Sequence, residues 1–465
     1  MGDRVFDLLV IGGGPGGYTA AIRAAQLGMK TGIIERERLG GICLNWGCIP
    51  TKALLKNAEI LHTIRKSEEW GIICDNPRID FTKIIKRSRG VADRMAKGVE
   101  FLMKKNKIEY MPGHAALVSA GTVELRSEGK PPERISAKHI ILATGARPRS
   151  LPGVAFDRKR IITSTEAMNL SEQPKSMVIV GAGAIGIEFA YFYNALGTHV
   201  TVVEMMPGIL PVEDRELTKL LESSLKKQGI EILTDTRVES VKAGAEEVIV
   251  IVGTSEGKKE FKADVALIAI GVQGNVENSG LEQAGVAIER GHVKVDQDYR
   301  TNVPGVYAIG DVIGPPWLAH VASAEGIHCV EAVAGMEPDP LDYTSIPGCT
   351  YCQPQIASVG LTEEKAKAEG HDVKVGRFPF RANGKAVAIG EPDGLVKLIF
   401  DARYGELLGA HIMGAEATEM IAELVVAKRL GTTGKDLFHA VHAHPTLSEA
   451  VMEAAAAAYG EAINI

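Results

Sequence analysis

One motif, present twice, limits what this chain can fold into more than any other feature. Phe6 to Ile11 is a short apolar strand, and Gly12, Gly14 and Gly17 follow it in G-x-G-x-x-G spacing. An alanine-rich helical stretch then runs from Tyr18 to Leu27, and Thr31 to Glu35 supplies a second strand ending in an acid. The pattern recurs with the strand Met177 to Val180, then Gly181, Gly183 and Gly186, a helix from Ile187 to Leu196, and a strand from Val200 to Glu204. The interval from Gly17 to Glu35 equals that from Gly186 to Glu204. The three glycines of a unit permit, in turn, a tight turn, close approach of backbone to a pyrophosphate, and close packing of helix on strand. The helix N-terminus turns its partial positive charge toward the phosphates, and the terminal acid is suited to a ribose hydroxyl. A single G-x-G-x-x-G is often an ordinary turn; two complete units predict a chain that binds two dinucleotides.

The length, 465 residues, accommodates about three or four domains. With 45% hydrophobic and 24% charged residues the chain is globular, and its 51 glycines follow no fixed repeat. A net charge of −6 provides no broad basic surface, so neither nucleic acid nor an anionic membrane is an expected partner. The longest apolar run, Val178 to Leu196, is interrupted by Glu188, and no membrane span is predicted. The N-terminus reaches Val5 to Gly14 without room for a cleaved signal, so the expected location is the cytoplasm, or a matrix if a presequence has been removed. Six cysteines are too few for a disulfide-stapled scaffold, so a disulfide here is expected to be catalytic rather than structural.

Two further strand exits stand out. Ile140 to Gly145 ends in Ala143-Thr144-Gly145, and Val306 to Asp311 ends in Gly310-Asp311. Either suits backbone contact with a cofactor, although each alone reads as an ordinary strand-to-turn exit. Proline-rich stretches at Arg147 to Gly153 and Pro338 to Pro347 read as boundaries. From Gly348 onward, strand patterns (Leu395 to Phe400, Gly409 to Met413) mix with helices (Glu416 to Leu430, Leu447 to Tyr459), predicting a separate α+β domain.

Shortly after the first unit comes Gly40-Gly41-Ile42-Cys43-Leu44-Asn45-Trp46-Gly47-Cys48-Ile49-Pro50-Thr51-Lys52, leading into a helical run from Lys52 to Lys66. In a regular helix the Cys43 to Cys48 offset separates Cα atoms by roughly 8 to 9 Å, whereas a disulfide needs roughly 4.4 to 6.8 Å. A bridge therefore requires an irregular helix start, for which Gly47 and Pro50 supply breaks; the alternative is two buried thiols. Near the other end, His442-Ala443-His444-Pro445-Thr446-Leu447-Ser448-Glu449 combines imidazoles with a carboxylate. Thiol–disulfide exchange needs a base to form the thiolate and an acid for the leaving sulfur, and a histidine with a carboxylate partner does both. A metal site at His439, His442 and His444 is disfavoured, because Pro445 interrupts helical spacing and no cysteine follows.

The run Gly-Gly-x-Cys-Leu-Asn-x-Gly-Cys-Ile-Pro-Thr-Lys, placed after a G-x-G-x-x-G unit, resembles that of the FAD-dependent pyridine nucleotide disulfide oxidoreductases, and the resemblance spans essentially the whole chain. It implies an α/β fold with two Rossmann-like dinucleotide-binding domains, one for FAD and one for NAD, and a C-terminal α+β dimerisation domain. The expected division is an FAD-binding domain with the redox disulfide (1–148), an NAD-binding domain (149–275), a central segment completing the FAD site (276–345) and an interface domain (346–465). The resemblance makes Cys43 and Cys48 the redox pair, with Cys43 the outer sulfur and Cys48 beside the flavin. His444 becomes the acid-base residue, oriented by Glu449. Tightly but non-covalently held FAD is expected at Gly12, Gly14, Gly17, Glu35, Lys52, Thr144, Gly145, Asp311 and Ala319. NAD+ or NADH is expected at Gly181, Gly183, Gly186, Glu188, Glu204, Val238 and Gly271, and the family pairs Lys52 with the glutamate matching Glu188. The implied assembly is a homodimer in which each tail serves its partner's disulfide.

Within the family, the branch that oxidises protein-bound dihydrolipoyl groups fits best. Its expected partners are lipoyl domains of an acyltransferase or carrier protein, in 2-oxo acid dehydrogenase or glycine-cleavage assemblies. Glu204 would repel a 2′-phosphate, and Glu204-Met205-Met206-Pro207 offers no basic residue, favouring NAD over NADP. No cysteine follows Cys352, unlike mercuric reductases or the larger thioredoxin reductases, and the pair that soluble transhydrogenases lack is complete. Another disulfide reductase of the same core, glutathione or mercuric reductase-like, stays open. The second C-x-x-C, Cys349 to Cys352, departs from the family pattern and reads as two reduced thiols at the start of an interface strand, with an accessory redox switch as the alternative.

Overall fold

The computed structural model describes residues 4–254 and 257–465. The chain forms two compact units. The first combines Met1–Leu54, Thr82–Arg149 and Gly271–Leu341, and the second combines Leu55–Phe81, Ser150–Ile270 and Asp342–Ile465.

The first unit is built on a seven-stranded sheet. Glu109–Pro112, Thr31–Glu35, Arg4–Ile11 and Glu133–Leu142 lie side by side in parallel, and Val306–Ala308 joins Glu133–Leu142, also in parallel. Thr122–Arg126 and His114–Ser119 extend the sheet antiparallel. The central strands are apolar where both of their faces are covered, as from Leu8 to Ile11 and from Ile140 to Leu142. Leu8, Val10 and Ile33 pack with Ala20 and Ala24 of the helix Pro15–Gln26 and with Cys329 and Val330 of the helix Ala319–Val333. Leu9, Ile11 and Ile34 take the other face, as the two-residue period of a strand requires, and Phe6 joins their cluster.

The second unit holds three sheets. A parallel sheet runs in the order Glu231–Leu233, His199–Val203, Ser176–Val180, Val265–Ile268 and Ile161–Ile162. An antiparallel meander of Arg237–Ala243, Val248–Thr254 and Gly257–Ala263 packs Val241, Val248 and Val250 against Val178 and Val180. The third sheet is antiparallel, in the order Gly348–Thr350, Gln355–Gly360, Leu407–Gly414, Leu395–Asp401 and Val373–Pro379. The helices Ala417–Arg429 and Glu449–Ala457 cover one of its faces, where Val396, Leu398 and Phe400 meet Ile421, Leu424, Val451 and Ala454. At Gly376 a Cβ would come 1.8 Å from the Ala454 carbonyl oxygen, so only glycine lets the helix Glu449–Ala457 sit this close to its strand.

The architecture is the predicted one: two Rossmann-like units and a C-terminal α+β domain. Among the described residues no helix is long and apolar enough to cross a membrane.

Candidate active site

The two glycine loops are built alike. Gly12 and Gly181 adopt left-handed backbone, φ +108 and +103, and a Cβ there would meet the Ala143 carbonyl oxygen at 2.1 Å and the Ala269 carbonyl oxygen at 2.5 Å. A Cβ at Gly17 would lie 1.9 Å from the Gly12 oxygen, and one at Gly186 2.0 Å from the Gly181 oxygen. Neither following helix is capped by a side chain at its Gly14 or Gly183 N-cap, so first-turn N–H groups remain available for a phosphate. Glu35 accepts the Gly13 N–H at 2.7 Å and the Glu37 N–H at 2.8 Å; Glu204 accepts those of Ala182 at 2.7 Å and Met206 at 2.8 Å. A carboxylate has about four acceptor sites, so each acid retains capacity for ribose hydroxyls while fixing its own loop. Both cradles fit a dinucleotide.

The cysteine segment breaks where the spacing requires. Gly41–Trp46 is one short helix and Cys48–Arg65 another, with Gly47 between them at φ −146, ψ −115. The break falls at Gly47 alone. Pro50 lies inside the first turn of the second helix, where a missing N–H costs nothing. The two sulfurs are not bonded to each other. The hydrogen bond between them, then burial, pushes the Cys43 thiol far above its usual range, with Lys52 pulling weakly the other way. Cys43, expected as the outer sulfur, is buried in the single chain, and Cys48 is exposed.

Three consecutive residues of the helix Phe81–Lys105 hold this segment by its carbonyls. Arg89 donates to the Asn45 carbonyl at 2.6 Å, the buried Ser88 hydroxyl to Pro50 at 2.8 Å, and Arg87 to Ala53 at 3.2 Å. The buried Asn45 amide in turn bonds the Leu39 and Gly41 carbonyls, both at 3.0 Å. None of these four was anticipated as functional. A serine flanked by arginines on a charged helix looks like a solvated face until the partner carbonyls are placed.

The remaining predicted residues divide between the units. In the first, the Thr144 hydroxyl donates to the Asn275 carbonyl, Asn275 returns a bond to the Thr144 carbonyl, and the Asn275 N–H donates to Gly145, each at 2.9 Å. Gly145 and Gly271 both adopt positive φ, and the Gly271 carbonyl accepts the Arg149 N–H. Burial pushes the Asp311 carboxyl up to about 6. Next to it, the Gly310 N–H donates to buried Glu325 at 2.6 Å, on the helix that Ala319 begins. In the second unit, buried Glu188 accepts the Tyr351 N–H at 3.1 Å, and Val238 packs at the edge of the meander core.

His444 and Glu449 meet as expected. His444 Nδ1 lies 2.9 Å from Glu449 Oε1, while Glu449 Oε2 accepts the Thr446 N–H at 2.8 Å. The Thr446 N–H holds the Glu449 carboxyl below its ordinary range against the opposing effect of burial, with His444 adding to it. The His444 side chain is 78% exposed, so its Nε2 edge faces outward from a fixed ring. His442 is instead tied to Glu423 at 2.8 Å and to the Ala440 carbonyl at 2.9 Å. Of the second cysteine motif, Cys352 is buried, with its sulfur 3.1 Å from the Pro354 carbonyl oxygen.

A twofold nucleotide cradle, a dithiol on the segment after the first cradle, and a carboxylate-oriented histidine define a flavin-linked disulfide oxidoreductase. The chain belongs to the pyridine nucleotide-disulphide oxidoreductase family: residues 6–326 match its main domain and 346–455 its dimerisation domain, the part that joins two copies. FAD and NAD(H) are its cofactors. It is 52% identical to a dihydrolipoyl dehydrogenase of Rhizobium etli and 44% identical to one of Bacillus subtilis, with 99% of each chain covered in both cases. Among solved structures it is similar to LpdA of Mycobacterium tuberculosis, with a TM-score of 0.90, 27% identity, and 96% of this chain and 98% of that one covered. The flavoprotein disulfide reductase RclA of Escherichia coli gives 0.88 at 26% identity, covering 98% and 99%.

Proposed function

We propose that this chain oxidises protein-bound dihydrolipoyl groups to lipoyl with NAD+ as final acceptor, in the cytoplasm, as the shared oxidising component of a 2-oxo acid dehydrogenase or glycine-cleavage assembly. Full-length identity to dihydrolipoyl dehydrogenases supports the substrate, and the hydrogen-bonded Cys43–Cys48 pair is the observation that carries the chemistry. The expected domain division stands with it: 1–148 for FAD and the redox pair, 149–275 for NAD, 276–345 completing the flavin site, and 346–465 for the dimer.

In the oxidised resting pair, His444 takes the proton of one substrate thiol, and the resulting thiolate attacks Cys43. The Cys43–Cys48 bond breaks, a mixed disulfide forms at Cys43, and Cys48 leaves as the thiolate. The second substrate thiol then attacks the substrate sulfur of that mixed disulfide and closes the lipoyl ring; its proton goes to the departing Cys43 sulfur, which returns as a thiol, and His444 keeps the first proton. The hydrogen bond that keeps a proton on Cys43 supports Cys48 as the thiolate of the pair. FAD, which Gly12, Gly14, Gly17 and Glu35 would hold, would supply a two-electron acceptor for the reduced sulfurs and a hydride donor for NAD+. Lys52, one turn beyond Cys48, places a positive charge near the thiolate. Glu449 keeps the imidazole ring in one orientation, so that the nitrogen facing outward is the one that exchanges the proton.

The test is anaerobic titration of the flavin-loaded protein with dihydrolipoamide while the visible spectrum is recorded. A long-wavelength thiolate-to-flavin band at two electrons, followed by NAD+-dependent turnover, is the expected result. A flavin that stays oxidised with dihydrolipoamide yet is reduced by NADH would overturn the substrate and leave a related reductase, to be sought with glutathione disulfide and other disulfides.

A further inference from the structure

The face of the C-terminal sheet turned away from its two covering helices carries a polar row at matched register positions. Ser358 lies opposite His411, His411 opposite Lys397, and Lys397 opposite Arg377. Strand alternation produces this: Val396 and Leu398 enter the apolar cluster, and Lys397 between them projects the other way. Lys397 is nevertheless only 3% exposed. Its ammonium lies 3.0 Å from both oxygens of Asp214, 3.0 Å from Glu216 and 2.9 Å from Glu363. Arg377 bonds Glu216 and Glu363 at 2.8 to 2.9 Å, and Ser358 bonds buried Glu213. A buried cation is retained only where it is paired, and most of its anions come from one short segment, 213–216, at the start of the helix Arg215–Lys227.

That segment leads back to the second glycine loop. The Glu213 N–H donates to the Leu210 carbonyl at 3.0 Å, and the Leu210 N–H donates to the Ala182 carbonyl at 2.9 Å, between Gly181 and Gly183. The Ala182 N–H is the one held by Glu204. Leu210 is buried with φ +46, a left-handed conformation that a leucine keeps only where its surroundings determine it. A continuous path of bonds therefore runs from the sheet row through Asp214 and Leu210 to the loop and its acid.

We infer that Lys397 is a positioning residue for the pyridine nucleotide: by fixing Asp214 it holds residues 205–213, and through Leu210 it holds the Gly181–Gly183 loop in the shape a dinucleotide needs. This rests on the second unit being the NAD site. Both roles of the lysine, neutralising three carboxylates and tying down one strained loop, come from the same contacts, so the test must separate them. In the flavin-loaded protein, Lys397→Met should raise the KM for NAD+ by about tenfold or more, leaving the KM for dihydrolipoamide and anaerobic flavin reduction by dihydrolipoamide unchanged. Asp214→Asn keeps an acceptor for the Glu216 N–H and should shift the KM for NAD+ the same way; it decides the matter if Lys397→Met does not yield flavin-loaded protein. Glu363→Gln removes a charge from the same lysine on a helix, Glu363–Ala368, that among the described residues makes no hydrogen bond to the glycine loop, and should leave the KM for NAD+ at its unaltered value. An unshifted KM for NAD+ in Asp214→Asn, an equal rise in Glu363→Gln, or a joint shift of both substrates and the flavin step would overturn the proposal. Failure of the unaltered protein to use NAD+ at all would instead refute the assignment of the second unit.

Discussion

The two glycine loops are near copies in backbone, yet their surroundings differ. Around the first, the chain returns twice. The Gly40 N–H donates to the Gly13 carbonyl at 2.8 Å, and a Cβ at Gly41 would lie 2.6 Å from the Gly14 Cα. The helix Ala319–Val333 comes so near that a Cβ at Gly16 would sit 2.9 Å from the Ala322 oxygen and one at Gly326 2.8 Å from the Gly16 oxygen. The second loop has the first kind of return, the Leu210 N–H on the Ala182 carbonyl, but among the described residues of its unit no helix closes on it: a Cβ at Gly183 meets nothing within 4 Å, and Ile185 is 42% exposed. The lesson is that the motif sets what is bound while later chain sets how long it stays. A ligand enclosed by flanking elements must wait for them to open, so its off-rate falls, whereas one on an open loop exchanges each cycle. This supports FAD, the permanent group, at Gly12–Glu35 and NAD, the co-substrate, at Gly181–Glu204.

The largest expected break in that comparison comes from the close approaches. Gly17→Ala should yield protein without flavin, whereas Gly186→Ala should keep its flavin and its reduction by dihydrolipoamide yet lose NAD+-linked turnover by about 100-fold, equivalent to about 2.7 kcal/mol. Flavin absorbance per protein and the two half-reactions read this directly; equal flavin loss in both variants would erase the distinction. His444→Gln, outside both loops, should lower turnover by about 10²- to 10⁴-fold while flavin content and NAD+ binding hold, as measured by single-turnover flavin reduction. Each acid makes two charge-assisted bonds, so Glu204→Ala should raise the KM for NAD+ by about tenfold, and Glu35→Ala should speed FAD loss on gel filtration without changing that KM.

The smallest effects concern pH, and one carboxylate from each unit responds with opposite sign. In the first, Asp311 is raised by burial from 3.8 to about 6, so the flavin-free protein binds more protons folded than unfolded and loses stability as pH rises through about 6. In the second, burial works to raise Glu363, but bonds to Lys367 and Lys397 overrule it and hold it at about 2. Its contribution is present above 4.5 and lost as pH falls toward about 2. Asp311→Asn should flatten the first limb and Glu363→Gln the second in denaturant titrations of the flavin-free protein.

Much of the site was legible because its signals are local. Gly12, Gly17, Gly181 and Gly186 must be glycine wherever a strand turns into a phosphate-facing helix, and the His444–Glu449 offset places both groups around one helix start. The break at Gly47 followed from the reach of a disulfide, although Pro50 proved to be part of the helix. Arg87, Ser88 and Arg89 were not legible, because the carbonyls they hold lie far back in the chain. Nor was the assignment of Leu55–Phe81, the continuation of the cysteine helix, to the second unit, since an uninterrupted helix carries no sign of where its contacts change.

Spacing and residue chemistry by themselves determined the α/β class and the paired nucleotide cradles and singled out the Cys43–Cys48 and His444–Glu449 pairs, since each depends on a few neighbouring residues obeying backbone geometry. Tertiary structure alone decided which cradle is walled, that Cys43 is buried while Cys48 is exposed, and that Lys397 is buried among three carboxylates instead of solvated on a strand. The physical reason is the same in each case: enclosure, desolvation and charge pairing depend on what lies across space from a residue, and alternation along a strand says only which way it points.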